Sequence, residues 1–430
     1  MIAFLIKVRV KTIFSNFNPI KVEPLELCCL KTLLEMLDIE NYIIDELFGF
    51  KVPKGIIPDI VILNGYNVAE NEMIRQAVRY KSEYPKSKII VGGVHVQGNS
   101  EEFHHETIDY VFHSQSLKGL KLLLEKIAVN PDENYLIDGA DTFIPSKGTG
   151  KDCWHTGNKI PIFESENILA DRSFFNQKSD CIHYLEKRKV ALIKGSIGCP
   201  YNCSFCYCKM INQSQFVKAD YDRMAEEMKS IDADYFWIVD DVLFSNRMDA
   251  LDLIDVIKKK KIKVKMIGYL RADFILREKD LLEDLREIGL VEVIVGFEAT
   301  NNSELKMYGK TTDALDYPAV ISLLKQNDID LTALFMVKPD YGIRDFRKLS
   351  KFIGDNNIQV FTVSILTPMK GTEGYRQMKD ALVIENPEKF DFMHLVVKPR
   401  LPKFLFYALF YGIQLKLLKS KRIWKYILRK

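Results

Sequence analysis

The stretch Val190-Ala191-Leu192-Ile193-Lys194-Gly195-Ser196-Ile197-Gly198-Cys199-Pro200-Tyr201-Asn202-Cys203-Ser204-Phe205-Cys206-Tyr207 runs from four apolar residues straight into a cysteine-rich loop. The apolar run reads as a strand buried on both faces. The loop carries Cys-x3-Cys-x2-Cys. Three thiolates that close can hold three irons of a four-iron cluster and leave the fourth iron open to a small-molecule ligand. That differs from the four-thiolate ligation of an electron-carrying ferredoxin. An open iron beside a reducible cluster implies chemistry as well as electron storage.

Cys208 brings a fourth thiol within ten residues, and zinc takes four such donors in a tetrahedral site. Structural zinc usually comes as two separated Cys-x2-Cys pairs, and no second pair exists in this sequence. Residues 206 and 208 also tend to point in different directions. The remaining cysteines, Cys28, Cys29, Cys153 and Cys181, read as core or surface thiols. A secreted disulfide scaffold is short and cysteine-dense, and 430 residues with eight cysteines is neither. The apolar run at Met1–Ile6 is too short for a signal peptide, so the expected location is a reducing cytoplasm.

At 47% hydrophobic residues the chain can bury a large core, divided into two or three domains. A net charge of +3 gives no case for nucleic acid.

Outward to the N-terminus, strand-like and helix-like segments alternate. Strands are expected at Ile2–Val10, Asn41–Leu47, Asp59–Leu63, Lys88–Val91 and Ile108–Phe112. Helices are expected at Leu25–Leu37, Glu70–Tyr84 and Ser116–Ile127. The β-α repeat predicts a doubly wound parallel sheet over residues 1–130. Such sheets bind ligands at the carboxyl ends of their strands. The candidates there are Asn64 and Gly65 after the third strand, and Gly92, Gly93 and His95 after the fourth. Residues 131–188, rich in turn formers, read as a linker.

Toward the C-terminus, strands are expected at Tyr235–Val239, Lys263–Ile267, Val291–Val295, Leu331–Phe335 and Gln359–Ser364. Helices are expected at Tyr221–Ser230, Met248–Lys258, Lys279–Glu287, Tyr317–Gln326 and Phe346–Ile353. Six β-α units over 189–375 predict a partial barrel with its chemistry at the carboxyl ends of the strands.

With Cys199, Cys203 and Cys206 after its first strand, this central region resembles the radical S-adenosylmethionine (SAM) superfamily. Phe205 stands where the family has a residue beside the adenine. Asp240-Asp241-Val242-Leu243-Phe244 resembles the Asp-Asp-x-x-Phe segment of the cobalamin-linked branch, near the SAM amino group. Arg271 could reach the SAM carboxylate. Glu298 in Gly296-Phe297-Glu298 resembles the family's Gly-x-Glu, and Thr367-Pro368-Met369-Lys370-Gly371-Thr372 its Thr-Pro-x-x-Gly-Thr. Met336-Val337-Lys338-Pro339-Asp340 lacks the glycine common after the family's fifth strand. Each piece alone has a plain structural alternative: the aspartates cap a helix, Arg271 pairs with Asp273, Glu298 caps the next helix. Their joint order behind the cysteine loop favours a site.

Residues 1–130 resemble the cobalamin-binding domain that precedes many such enzymes, through Pro58–Asn64, Ile89–His95 and Asp109–Phe112. The Asp-x-His-x-x-Gly that supplies a histidine below cobalt in mutase-type domains is absent. Together the two resemblances imply a class B cobalamin-dependent methyltransferase with a 4Fe-4S cluster, SAM and cobalamin. It would generate a 5′-deoxyadenosyl radical and methylate an unactivated carbon. The alternatives are a radical SAM enzyme, with or without cobalamin, that does not methylate, and a non-enzymatic iron–sulfur or zinc protein. The partners implied are a small-molecule, lipid or peptide substrate and an electron donor such as flavodoxin or ferredoxin.

The extension 376–430 is basic: Phe392–Lys430 holds ten Lys or Arg and no Asp or Glu. A helix there has three readings: it packs over the barrel, it lies on an anionic membrane surface, or it forms a groove for an acidic peptide.

Overall fold

The computed structural model describes residues 1–10, 18–112, 117–130, 168–212 and 215–428, together with three short strands at Asn134–Ile137, Phe143–Ser146 and Trp154–His155. Cys153 and 27 of the 58 residues of the expected linker lie outside the described residues.

The first half is a parallel sheet with helices on both faces. Its elements are β1 (Ile2–Lys7), α1 (Leu25–Met36), β2 (Glu40–Ile44), β3 (Ile60–Asn64), α2 (Glu70–Glu83), β4 (Lys88–Gly92), α3 (Val94–Gly98), β5 (Tyr110–Phe112), α4 (Leu117–Val129) and β6 (Trp154–His155). The order β2-β1-β3-β4-β5-β6 reverses direction between β1 and β3. Period-2 alternation explains why both faces are dry. Leu5, Ile62, Ile90 and Tyr110 align in one row and pack on Leu27, Leu34 and Leu123. Their neighbours Phe4, Val61, Ile89 and Val111 face the other way, onto Met73, Ala77 and Tyr80.

The second half is a six-stranded all-parallel sheet in sequential order. Its strands are β7 (Val190–Ile193), β8 (Tyr235–Ile238), β9 (Met266–Leu270), β10 (Leu290–Glu298), β11 (Asp330–Val337) and β12 (Val360–Ile365). The helices between them are α5 (Cys208–Asn212), α6 (Tyr221–Ser230), α7 (Arg247–Lys260), α8 (Ala272–Arg277), α9 (Leu282–Glu287), α10 (Asn302–Met307), α11 (Tyr317–Gln326) and α12 (Ile343–Asp355). This is the partial barrel, with a buried core running from Ala191 through Val293 to Val363.

The first strand ends at Lys7 and not Val10, the strand expected at Asn41–Leu47 gives way to a 3-10 turn at Glu46–Phe48, and two expectations shift in the barrel. The third barrel strand begins at Met266 and not Lys263, because the register with β10 is set by Met266↔Leu290. The alternating Lys263-Val264-Lys265 only approaches the sheet. The helix expected at Lys279–Glu287 is a 3-10 turn followed by α9, with α8 unforeseen before it.

The C-terminal residues fold back on the barrel as α13 (Lys403–Gln414) and α14 (Lys421–Leu428). Phe406, Phe410 and Ile413 are buried, and Gln414 Nε2 donates to the Val363 carbonyl of edge strand β12 at 2.8 Å. Covering an edge strand removes a template for aggregation. Among the described residues no helix is long and apolar enough to cross a membrane.

Candidate functional site

The cysteine loop leaves β7 through a two-stranded ribbon in which Ser196–Gly198 pairs antiparallel with Phe216–Lys218. Gly198 closes its neck with φ of 84°, and a Cβ there would sit 2.1 Å from the Gln215 carbonyl oxygen. Only glycine satisfies both conditions. Inside the loop the Cys206 amide donates to the Cys203 carbonyl at 3.1 Å.

Cys199, Cys203 and Cys206 are each part-exposed, whereas Cys208 is buried at the start of α5. The Cys208 thiol donates to Asp241 Oδ1 at 3.0 Å. Among the described residues no three His, Cys, Asp or Glu converge on one ion. The other three thiols stand on the loop, the number that a four-iron cluster with one open iron takes. Burial pushes the Cys199 thiol up to about 11 and raises Cys203 as well. Cys208 also lies within hydrogen-bond reach of Cys206, so its one thiol proton is shared between Asp241 and Cys206, and this contact, with the Cys208 backbone amide, lowers Cys206. Metal binding must therefore expel protons from Cys199 and Cys203.

The opposite wall is the segment after α10. Ser204 N–H donates to the Tyr308 carbonyl at 3.3 Å, and its hydroxyl donates to the Met307 carbonyl at 3.0 Å. Phe205 meets the Tyr308 ring edge-on at 5.3 Å. Lys310 Nζ lies 3.1 Å from Glu298 Oε1 and donates to the Gly296 carbonyl at 3.2 Å. Burial still raises Cys203, but the Lys310 charge offsets part of that rise, and it adds to the lowering of Cys206. Glu298 ends β10 at a register shift, with φ of 64°. A non-glycine residue held in this region is strained, and such strain gathers at functional sites.

Arg271 precedes α8. Its guanidinium grips Asp273 at 2.8 and 3.0 Å, reaches Thr311 Oγ1 at 3.2 Å, and stacks 3.7 Å from the Tyr201 ring centroid. The pairing with Asp273 and the place at the cysteine loop are thus both realised. The two aspartates diverge. Asp240 is buried and accepts from the Gly195 amide at 2.8 Å, which braces the exit of β7. Burial pushes it up to about 6, and its second oxygen has no partner. Asp241 turns to Cys208 and Asn212 and lines a cavity.

That cavity, about 350 Å³, lies between the halves. Asn64, Gly92, Gly93 and Phe112 line it from the first sheet, Tyr207 and Asp241 from the barrel. Gly93 has φ of 106°, and a Cβ would fall 2.5 Å from Asn64 Nδ2. A side chain at 93 would therefore displace Asn64, and both residues line the space. Lys7, at the end of β1, donates to Asn64 Oδ1 at 2.9 Å, pairs with Glu26, and lies 4.2 Å over the Tyr66 ring. Gly65 packs on Met73 and Ala69 behind this edge. A second cavity of about 370 Å³ meets the first at Tyr207, with His95, Met210 and Met369 in its wall. His95 is buried; Nε2 is 2.8 Å from Glu70 Oε2, and Asn99 is 3.3 Å from Nδ1. Met210 wedges between Gly98 of the first half and Gly371 after β12.

The sequence reading missed Lys7, Glu26, Tyr308 and Lys310. Lys7 carried a signal, being a charge directly after an apolar strand at the point where strand order reverses. Lys310 carried none, because 104 positions separate it from Cys206.

Residues 193–353 match the model of the radical SAM superfamily. The hopanoid C-3 methylase of Methylococcus capsulatus is 24% identical over 379 residues, covering 85% of this chain and 70% of its own. The structure titled cobalamin-dependent S-adenosylmethionine radical enzyme OxsB, with aqua-cobalamin and S-adenosylmethionine bound, matches with a TM-score of 0.67. It is 14% identical, over 93% of this chain and 64% of that one. This chain therefore spans less than two thirds of OxsB. The radical S-adenosylmethionine methyltransferase TsrM from Kitasatospora setae, with cobalamin and a [4Fe-4S] cluster bound, has a TM-score of 0.65 at 14% identity. That match covers 93% of this chain and 82% of that one. At these identities the two structures establish the shared fold.

Proposed function

We propose that this chain, whose residues 193–353 match the radical SAM superfamily, is a cobalamin-dependent methyltransferase acting on an unactivated carbon of a small-molecule substrate. The observation that carries the reading is the division of four neighbouring thiols. Three stay part-exposed on the loop, and the fourth is turned onto Asp241 beside the cavity between the halves.

Cys199, Cys203 and Cys206 would hold a 4Fe-4S cluster, and the three-thiol set leaves one iron for SAM. Phe205, fixed by Tyr308, offers an apolar surface to the adenine. Arg271 and Glu298 each already have a partner. They would set the charge around the SAM carboxylate and hydroxyl groups, with Asp241 near the amino group. Gly92 and Gly93 offer an edge without side chains that suits a flat corrinoid, Asn64 stands beside it with its amide held by Lys7, and Gly65 and His95 support it from behind and beside. When bound, these groups supply one-electron cleavage of SAM and methyl transfer. The chain's part is to bind, to orient and to exclude water. Lys310, facing two of the thiols and Glu298, favours the thiolate forms that iron requires. A lipid of the hopanoid kind is the substrate class supported by the first relative's name. A flavodoxin or ferredoxin would supply the electron.

The test is anaerobic reconstitution with iron, sulfide and hydroxocobalamin, then SAM and dithionite. The expected result is a corrinoid band, 5′-deoxyadenosine and S-adenosylhomocysteine. A chain that binds no iron or cleaves no SAM overturns the proposal. Cleavage without a corrinoid reduces it to a non-methylating radical SAM enzyme.

A further inference from the structure

The C-terminal helices are apolar on two faces, and the barrel accounts for only one. The inner face buries Phe406, Phe410, Ile413, Ile423 and Tyr426. The outer face exposes Phe404, Leu415, Leu418, Trp424 and Leu428, with Phe404 77%, Leu415 63% and Leu428 78% accessible. An ordinary surface helix presents polar groups there. The exposed residues form one stripe. Phe404, Ala408 and Leu415 follow at i, i+4 and i+11, which returns to the same side of a helix. The turn after α13 carries Leu418, and Trp424 Nε1 donates to the Leu418 carbonyl at 2.6 Å, so α14 continues the patch. Leu428 lies one turn beyond Trp424.

The charges beside this stripe have one sign. Lys419, Lys421 and Lys425 are exposed and form no ion pair among the described residues. The basic groups that do find partners point elsewhere: Arg422 into the barrel, to Glu186 and Glu292, and Lys416 to the Ser350 carbonyl. No acidic residue occurs from Phe392 onward.

We infer that this outer face docks on an anionic lipid bilayer, the apolar stripe entering the headgroup boundary and the lysines meeting lipid phosphates. An apolar stripe flanked by unpaired lysines has the chemistry of an interfacial helix, and each lysine near an anionic surface adds attraction. A second copy of the chain fits worse. A two-fold contact through this face would set two lysine rows against each other. The inference is independent of the cluster and of the methylation reading, since it rests on the outer face alone.

The full chain is sedimented with vesicles of phosphatidylglycerol and phosphatidylcholine, and with phosphatidylcholine alone, at low and high salt. Binding to the anionic vesicles, weakened by salt, is expected, with a blue shift of tryptophan emission as Trp424 leaves water. K419Q/K421Q/K425Q should weaken binding about a hundredfold, about fivefold per lysine, and L418S/L428S should abolish it. Both variants should keep SAM cleavage in solution, which shows that they fold. No vesicle binding, or equal binding to neutral and anionic vesicles, overturns the inference. A salt-stable dimer that L418S/L428S dissolves also overturns it and assigns the face to self-association.

Discussion

A single thiol distinguishes the iron cluster proposed for this loop from a four-cysteine zinc site. Cys208 is as near in sequence to Cys206 as a ligand needs to be, yet it is buried and committed to Asp241. Cys208→Ala is therefore expected to retain its iron after anaerobic reconstitution, whereas Cys199→Ala, Cys203→Ala and Cys206→Ala each lose it. Iron and sulfide counts with the 400 nm absorbance region read this directly, and iron loss in Cys208→Ala would point to a four-cysteine site. Asp240 makes a second prediction at this scale. Burial holds its proton in the folded chain up to about pH 6, against an ordinary value of 3.8. A carboxyl with a raised folded value contributes stability below its unfolded value, and that contribution is lost as pH rises through the folded one. Asp240→Asn keeps an oxygen for the Gly195 amide and removes the titration. Relative to wild type, the variant should gain on the order of 2 kcal/mol between pH 4 and 7. Urea midpoints at several pH values test it, and a pH-independent difference would refute the assignment.

Among elements, the ribbon that closes the cysteine loop has the most specific requirement. Gly198→Ala puts a methyl group 2.1 Å from the Gln215 carbonyl oxygen on a left-handed backbone. The strands must part, at a cost of about 1–3 kcal/mol. The expected outcome is early protease cleavage between Gly195 and Lys218 and a cluster that loads poorly, while the sheet core keeps its far-ultraviolet dichroism. The neighbouring wall shows why motif reading stops short of a site. Glu298 reads from sequence as the end of a strand, but its partner Lys310 reaches it across the turn after α10.

The whole molecule is tied at the end of the barrel opposite the site. Arg422 of α14 bonds Glu292 Oε2 at 2.7 Å and Glu186 Oε1 at 2.5 Å, and lies 3.5 Å from Asp330. Lys187 shares Glu292 at 2.6 Å, and Thr332 donates to its other oxygen at 2.7 Å. Glu292 has no exposed surface, so removing Arg422 leaves a buried carboxylate with half its compensation. Arg422→Ala should cost about 3 kcal/mol in urea unfolding, whereas exposed Lys425→Ala should stay within about 0.5 kcal/mol. Equal effects would mean that α14 is not anchored by this cluster. The anchoring also fixes which helix face is left outside.

Both parallel sheets were legible in the sequence because their signals are local. Apolar runs such as Ile60–Leu63 and Val190–Ile193 declare doubly covered strands, and the cysteines at 199, 203 and 206 declare a loop directly after one of them. The strand-end positions of Asn64, Gly93, Asp241 and Arg271 followed from the β-α order alone. What those side chains touch did not. Lys7 with Glu26, Arg271 on Tyr201, Lys310 beside Glu298 and Met210 between Gly98 and Gly371 join residues tens to hundreds of positions apart. The sequence by itself determined the elements and the cysteine loop, since hydrophobic period and thiol spacing act over a few residues. Only the tertiary structure decided which thiol is withdrawn, which charges face the loop and which side of the basic tail meets solvent, because those depend on how separately formed layers pack.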